Sequence, residues 1–297
     1  MSMTRLETFG TLGYREDPFR RARFGTGDMA RTLRILTMAV ESHAMVSIVG
    51  DRGIGKTEAI NAALNKLGVR RVTIQRAQKE MATIADIEKA LILDLSDESP
   101  RRGAETCSRQ VRRITGEASR KHKIVLIIEE AQRLHSSTLR SLKTLREIEW
   151  MGEQELFTVV LVAQSDPMNR AGVSEVRLRT DMVRMQGLSA SEAAHYVKIT
   201  VGKHFSAGAI DLLSELPQAR NYLELQELCV QLLNAAIADG RKMVTEEDVQ
   251  ECNAAPEAVP ASKPKRLTTP VSGRDALKTV LERKSGKTDE LRREAGC

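Results

Sequence analysis

The 297-residue chain is 41% hydrophobic and 29% charged with a formal net charge of +6, which excludes a wholly disordered chain and suits a protein with a sizeable core. Its longest apolar runs, such as Ile124 to Ile128 and Phe157 to Ala163, are strand-sized and far short of the roughly 20 residues a membrane helix needs. The opening "MSMTRLETFG" has no apolar signal core and no cleavage site, so the expected location is the cytoplasm. Cys107, Cys229, Cys252 and Cys297 form no CxxC pair, which argues against a zinc site and a disulfide framework.

The positive charge is uneven. From Lys263 onward there are ten Lys/Arg against five Asp/Glu, so residues 1–262 carry only +1. Within them, Ser99 to Lys123 holds eight basic residues against Glu105 and Glu117, a local excess of +6 where a polyanion can dock.

In chain order, residues 1–27 mix Gly, Pro and Arg and form an N-terminal extension. Asp28 is the expected cap of a helix whose apolar positions include Leu33, Leu36 and Val40. The run "MVSIVG" reads as a buried strand, "KTEAINAALNKLG" as a helix stopped by Gly68, and "VRRVTIQ" as a second strand, which together make a βαβ unit. A helix over "TIADIEKALILDL", a break at Ser99 to Gly103 and a basic helix lead to the strand "KIVLIIEE". The helix "SSTLRSLKTLREIEWMG" and the strand "LFTVVLVAQ" follow. Strands alternating with helices predict an α/β fold, a parallel sheet sandwiched by helices over residues 28–187. After Leu188 only helical patterns remain, predicting a small all-α lid over 188–253. Residues 254–297 read as a Pro/Ala/Ser/Lys linker and a basic tail.

Gly50, Gly55, Lys56 and Thr57 fit GxxxxGK[ST] between a strand and a helix, the context in which that motif cradles phosphates. The expected nucleotide-binding residues are Gly50, Asp51, Arg52, Gly53, Ile54, Gly55, Lys56, Thr57 and Glu58. The glycines let backbone amides turn onto phosphate oxygens and the next helix adds its positive end. Lys56 is expected on the β and γ phosphates and Thr57 on Mg²⁺. The acidic end of "IVLIIEEAQ", taken to lie on the adjacent strand, offers Glu129 for Mg²⁺ and Glu130 to polarise the attacking water. Gln164, at the end of "FTVVLVAQ", is a candidate to position that water. Arg177, Arg179 and Arg184 are candidates to reach a neighbouring subunit's nucleotide, with Arg179 placed in the catalytic set, and Arg220 is a candidate to reach the γ-phosphate in cis. Arg109, Arg112 and Arg113 fall at i, i+3 and i+4 opposite the stripe Cys107, Val111, Ile114 and Ala118. With Arg101 and Arg102 they form a candidate surface for sequence-independent phosphate contacts on DNA. No aromatic ladder for stacking single-stranded bases accompanies them.

Together, "VGDRGIGKTEA", "SPRRGAETCSRQVRR", "IVLIIEEAQRL" and "LPQARNYLELQELCVQLL" resemble the AAA+ ATPases of the transposition-helper group, to which the phage Mu B target-selection protein belongs. The resemblance runs from about Phe24 to Cys252. It implies a P-loop AAA+ fold with a helical lid, ATP and Mg²⁺ as ligands, and a homo-oligomer, as filament or ring, on double-stranded DNA. It also implies target-site selection, activation of a DDE transposase and ATP hydrolysis that releases the filament. Most of these relatives carry Asp where Glu129 stands, which implies slow hydrolysis here. The opening "FGTLGYREDPF" resembles a second branch, the secretion-type AAA+ ATPases, which carry a membrane span. A remodelling or secretion-assembly ATPase acting on protein is therefore the alternative, and a nucleotide-gated scaffold a third.

Overall fold

The computed structural model describes residues 3–20, 22–74 and 82–254. The expected linker and basic tail, and Gln75 at the end of the second expected strand, lie outside the described residues.

A helix that the Gly/Pro/Arg composition conceals comes first. In α1 (Arg5–Thr11) the Thr4 hydroxyl accepts from the Glu7 amide while the Glu7 carboxylate accepts from the Thr4 amide, a reciprocal cap. Phe9, Leu12 and Phe19 then bury themselves among the C-terminal helices, so the N-terminal segment is part of that core. The next helix, α2 (Gly27–Glu41), is capped by Thr26, whose hydroxyl accepts from the Met29 amide at 3.2 Å. Asp28, the expected cap, lies inside the first turn. Its carboxylate accepts instead from the Gln186 and Gly187 amides at 2.9 and 2.8 Å.

The βαβ unit is β1 (Met45–Val49), α3 (Lys56–Leu67) and β2 (Arg70–Thr73), with Gly68 closing α3 at φ 61°. There follow α4 (Ile84–Leu95), α5 (Ala104–Ser119), β3 (Ile124–Ile128), α6 (Ser136–Arg146) and β4 (Thr158–Ala163). The pattern expected to carry α6 to Gly152 breaks early. Met151, Gly152 and Glu155 take positive φ, and Trp150 and Glu153 exchange backbone hydrogen bonds in a tight turn. Then come α7 (Ser174–Arg177) and β5 (Thr180–Arg184). The fifth strand escapes the sequence reading because, at the sheet edge, only Val183 of its five residues is buried.

All five strands are parallel, in the order β2-β3-β4-β1-β5. The strand-end acids therefore do not stand on a strand adjacent to β1, as expected; β4 is inserted between them. Alternate residues serve opposite cores. Leu126 and Leu161 pack with α4, α5 and α6, whereas Val125 and Val160 pack with α2 and α3. Both faces are thus covered, which is why β1, β3 and β4 read as unbroken apolar runs. The parallel register brings the C-terminal ends of β1, β3 and β4 to one edge.

The C-terminal helices are α8 (Ala190–Thr200), α9 (Ala207–Glu215), α10 (Tyr222–Ala238) and α11 (Glu246–Ala254), with Ser189, Ser206 and Asn221 as caps for the first three. They close around Tyr196, Leu213 and Leu233. The connection from β5 turns at Gly187, φ +83°, where a Cβ would lie 2.2 Å from the Arg220 carbonyl oxygen. Only glycine fits that approach.

Candidate active site

The loop after β1 owes its shape to two glycines. Gly53 (φ +87°) and Gly55 (φ +92°) take left-handed conformations that side chains disfavour, and α3 begins directly after Gly55 with no side-chain cap on its first amides. A helix N-terminus so presented suits phosphate. Below the loop, the Lys56 ammonium donates to the carbonyls of Gly50 (2.7 Å) and Asp51 (2.8 Å). Burial pulls its pKa down, and the charges of Glu130 and Asp51 oppose that shift.

The facing wall is built by β3 and β4. Glu129 and Glu130 follow the last residue of β3, and Gln164 follows the last residue of β4. Glu130 sits at φ 51° and ψ 38°, a left-handed conformation costing a non-glycine residue about 1 kcal/mol or more. Its carboxylate is held from two sides. Gln132 Nε2 donates to Oε2 at 2.8 Å, and Gln164 Nε2 donates to Oε1 at 3.2 Å. The two glutamines are themselves joined, because the Gln164 amide donates to Gln132 Oε1 at 3.1 Å. Arg133 Nε lies 3.4 Å from the same carboxylate. Sequence reasoning passed over Gln132, although its place two residues after Glu130 in "EEAQ" was the available signal.

A cavity of about 450 Å³ separates the two walls. Residues 52–58 except Ile54 line it, together with Glu129, Glu130 and Gln164, so most of the expected site converges. Gly50, Asp51 and the buried Ile54 shape the loop from behind. The remaining wall was not expected. It comes from Phe19, Arg20 and Phe24 of the N-terminal segment and from Tyr222 and Leu223 of α10. Burial pushes the Tyr222 phenol up to about 12, so it stays protonated at neutral pH.

The arginines behave differently. Arg220 is exposed and does not line the cavity; its carbonyl accepts from the Leu188 amide at 2.9 Å, which places it at the connection between the sheet and the helices. Arg179 is paired with Glu147 at 2.5 Å, away from the cavity lining. Arg177 and Arg184 are exposed, and between Arg177 and Arg179 stands Leu178, 88% exposed. On α5 the stripe of Cys107, Val111 and Ile114 is buried as expected, but the charged face is largely used within the chain. Arg109 pairs with Glu105 at 2.5 Å, and Arg113 with Glu98 at 2.5 Å and Glu117 at 3.2 Å. Arg112 donates to the Glu149 carbonyl. Among the described residues, the side chains of Arg101 and Arg102 make no ion pair and are exposed.

The donor set fits Mg²⁺ held through a substrate. Thr57 and Glu129 line the cavity, and the described residues hold no cluster of three or more His, Cys, Asp or Glu able to bind a metal by itself. Mg²⁺ typically takes one or two protein ligands and completes its shell with phosphates and water.

The fold is of the P-loop AAA+ type and the site is that of an ATPase: a five-stranded parallel sheet, a phosphate loop, a strand-end acid and a helical region after the sheet. Residues 40–169 match the family profile described as AAA domain. Among solved structures, Cdc6p from Pyrobaculum aerophilum is similar at TM-score 0.59 and 15% identity, over 79% of this chain and 69% of that one. The Drosophila ORC solved bound to DNA is similar at TM-score 0.55 and 14% identity, over 85% of this chain and 66% of that one. At such identities the likeness is one of fold. No curated protein matches the sequence. Among the described residues, no helix is long and apolar enough to cross a membrane.

Proposed function

We propose that the chain is an ATP-driven, double-stranded-DNA-associated AAA+ ATPase that assembles with copies of itself on DNA, selects target sites and activates a DDE transposase. The observation that carries the ATPase part is Glu130, steadied by Gln132 and Gln164 across the cavity from Lys56. In hydrolysis a water oxygen bonds to the γ-phosphorus, the bond from that phosphorus to the β–γ bridging oxygen breaks, and ADP and phosphate result. Glu130 takes the water's proton, Gln132 and Gln164 fix the carboxylate's direction, and Lys56 offsets charge on the phosphates. Thr57 and Glu129 would hold Mg²⁺, which when bound supplies further charge neutralisation. An arginine of the stretch Arg177 to Arg184 would complete the site of a neighbouring copy, making ATP an assembly switch.

The DNA part draws support from the local +6 over Ser99 to Lys123, from exposed Arg101 and Arg102, and from a solved protein of the same fold that holds DNA. The transposase part rests on the motif resemblance. One observation favours the remodelling ATPase acting on protein: the carboxylates beside Arg109 and Arg113 neutralise much of the α5 face. Sedimentation of the full chain with plasmid DNA, with ATP, with ADP and without nucleotide, tests the choice. Co-pelleting that requires ATP supports the DNA reading, and oligomers indifferent to DNA support the alternative.

A further inference from the structure

A phosphate loop works when its peptide groups turn their N–H bonds toward the phosphates. In a trans peptide the C=O of one residue and the N–H of the next point in opposite directions. Whatever fixes the direction of a loop carbonyl therefore fixes the opposite direction for the following amide.

Two loop carbonyls are fixed in this way, both from the N-terminus of α10. Asn221 Nδ2 donates to the Arg52 carbonyl at 2.7 Å, and the Tyr222 amide donates to the Gly53 carbonyl at 3.2 Å. Those bonds orient the amides of Gly53 and Ile54. The Ile54 amide otherwise makes only a long turn contact to the Asp51 carbonyl, at 3.4 Å. Asn221 does two tasks with one amide group, because its Oδ1 caps α10 by accepting from the Leu223 amide at 3.0 Å. The fit is close. A Cβ on Gly53 would lie 2.4 Å from Asn221 Oδ1 and 2.9 Å from the Leu223 side chain. Of the two donors, the Tyr222 amide is a helix-start N–H with no intrahelical acceptor, so the loop supplies the partner it would otherwise lack.

We propose that Asn221 is a positioning residue for phosphate binding: it fastens the first turn of α10 to the phosphate loop at the Arg52 carbonyl and so presets the Gly53 amide, beside the Ile54 amide that the Tyr222 bond sets. The inference rests on the nucleotide reading of the cavity and deepens it, because it makes the helical region part of phosphate recognition. Linkage makes the effect mutual, so phosphate in the loop tightens the docking of the first turn of α10.

The test compares Asn221→Ser with Asn221→Ala in the full chain. Serine caps a helix well but is too short to cap and reach the Arg52 carbonyl together, whereas alanine loses both roles. The wild type is measured first: if it binds neither ADP nor ATP, the nucleotide reading falls and this inference with it. Given wild-type binding, the serine variant is expected to lose about tenfold in ADP affinity, the scale of one hydrogen-bonded contact. Its affinity for AMP, which places no β-phosphate in the loop, stays at the wild-type value, and its nucleotide-free Tm stays within about 2 °C. Hydrogen exchange at Leu223 to Leu225 should slow on adding ADP to the wild type and much less in the serine variant. Wild-type ADP affinity in the serine variant, or equal losses for ADP and AMP together with a lowered nucleotide-free Tm, would reduce Asn221 to a helix cap and overturn the proposal.

Discussion

The phosphate loop and the basic helix α5 both announce themselves in the sequence, yet the structure treats them in opposite ways. The loop's expected residues converge on one cavity, with Lys56, Thr57, Glu129 and Glu130 on facing walls. The arginines of α5 turn instead to carboxylates and a carbonyl of their own chain. The loop's task lies in backbone directions that its own glycines permit. A charged face, by contrast, is available to a partner only if the folded chain has not already matched it, and spacing along a helix does not contain that information.

Five measurements would break or sharpen this contrast. The largest effect is expected from Lys56→Ala, which should cost about 10²-fold or more in ATP turnover and nucleotide affinity. Normal binding in that variant would deprive the loop of its role. Next, Glu130→Gln should lower single-turnover hydrolysis by about 10²-fold or more while leaving ATP affinity near the wild-type value. Gln132→Ala should lower it by about tenfold, the loss of one hydrogen bond to a charged group. If Gln132→Ala is silent, the buttress across the cavity is only structural.

On the other side of the comparison, replacing Arg101 and Arg102 by alanine should weaken DNA binding uniformly across sequences and flatten the salt dependence by about two charges. The pair Arg112 and Arg113 should matter less, since each already has partners within the chain. A larger effect from the second pair in a salt titration would mean that DNA displaces Glu98 and Glu117. The smallest effect tests a fully used ion pair. Asp248 accepts from both Arg241 guanidinium nitrogens and from Thr245, and these bonds hold its carboxyl well below the usual range. Because the folded pKa is depressed, the stabilisation is present above the unfolded value of about 3.9 and is lost as pH falls toward the folded one. The Tm difference between wild type and Asp248→Asn should thus be constant near neutrality and shrink below about pH 4.

The sequence alone determined much of the frame. The buried strands β1, β3 and β4 read from their apolar runs, and the helix stop at Gly68 reads from a single residue, because hydrophobic period and helix termination are local effects. The contents of the phosphate loop were equally plain. Tertiary structure alone decided the rest. It inserted β4 between the loop strand and the acid strand, and so brought Gln164 onto Glu130. Pairing with β1 made a strand of the mostly exposed Thr180–Arg184, and burial among distant helices gave the N-terminal aromatics a place in the cavity wall. Arg220 came to rest at the connection with its side chain outside the cavity lining, while its neighbour Asn221 met the loop. Strand order, edge pairing and the choice between two neighbouring side chains depend on contacts between residues far apart in the chain, and a local pattern does not encode them.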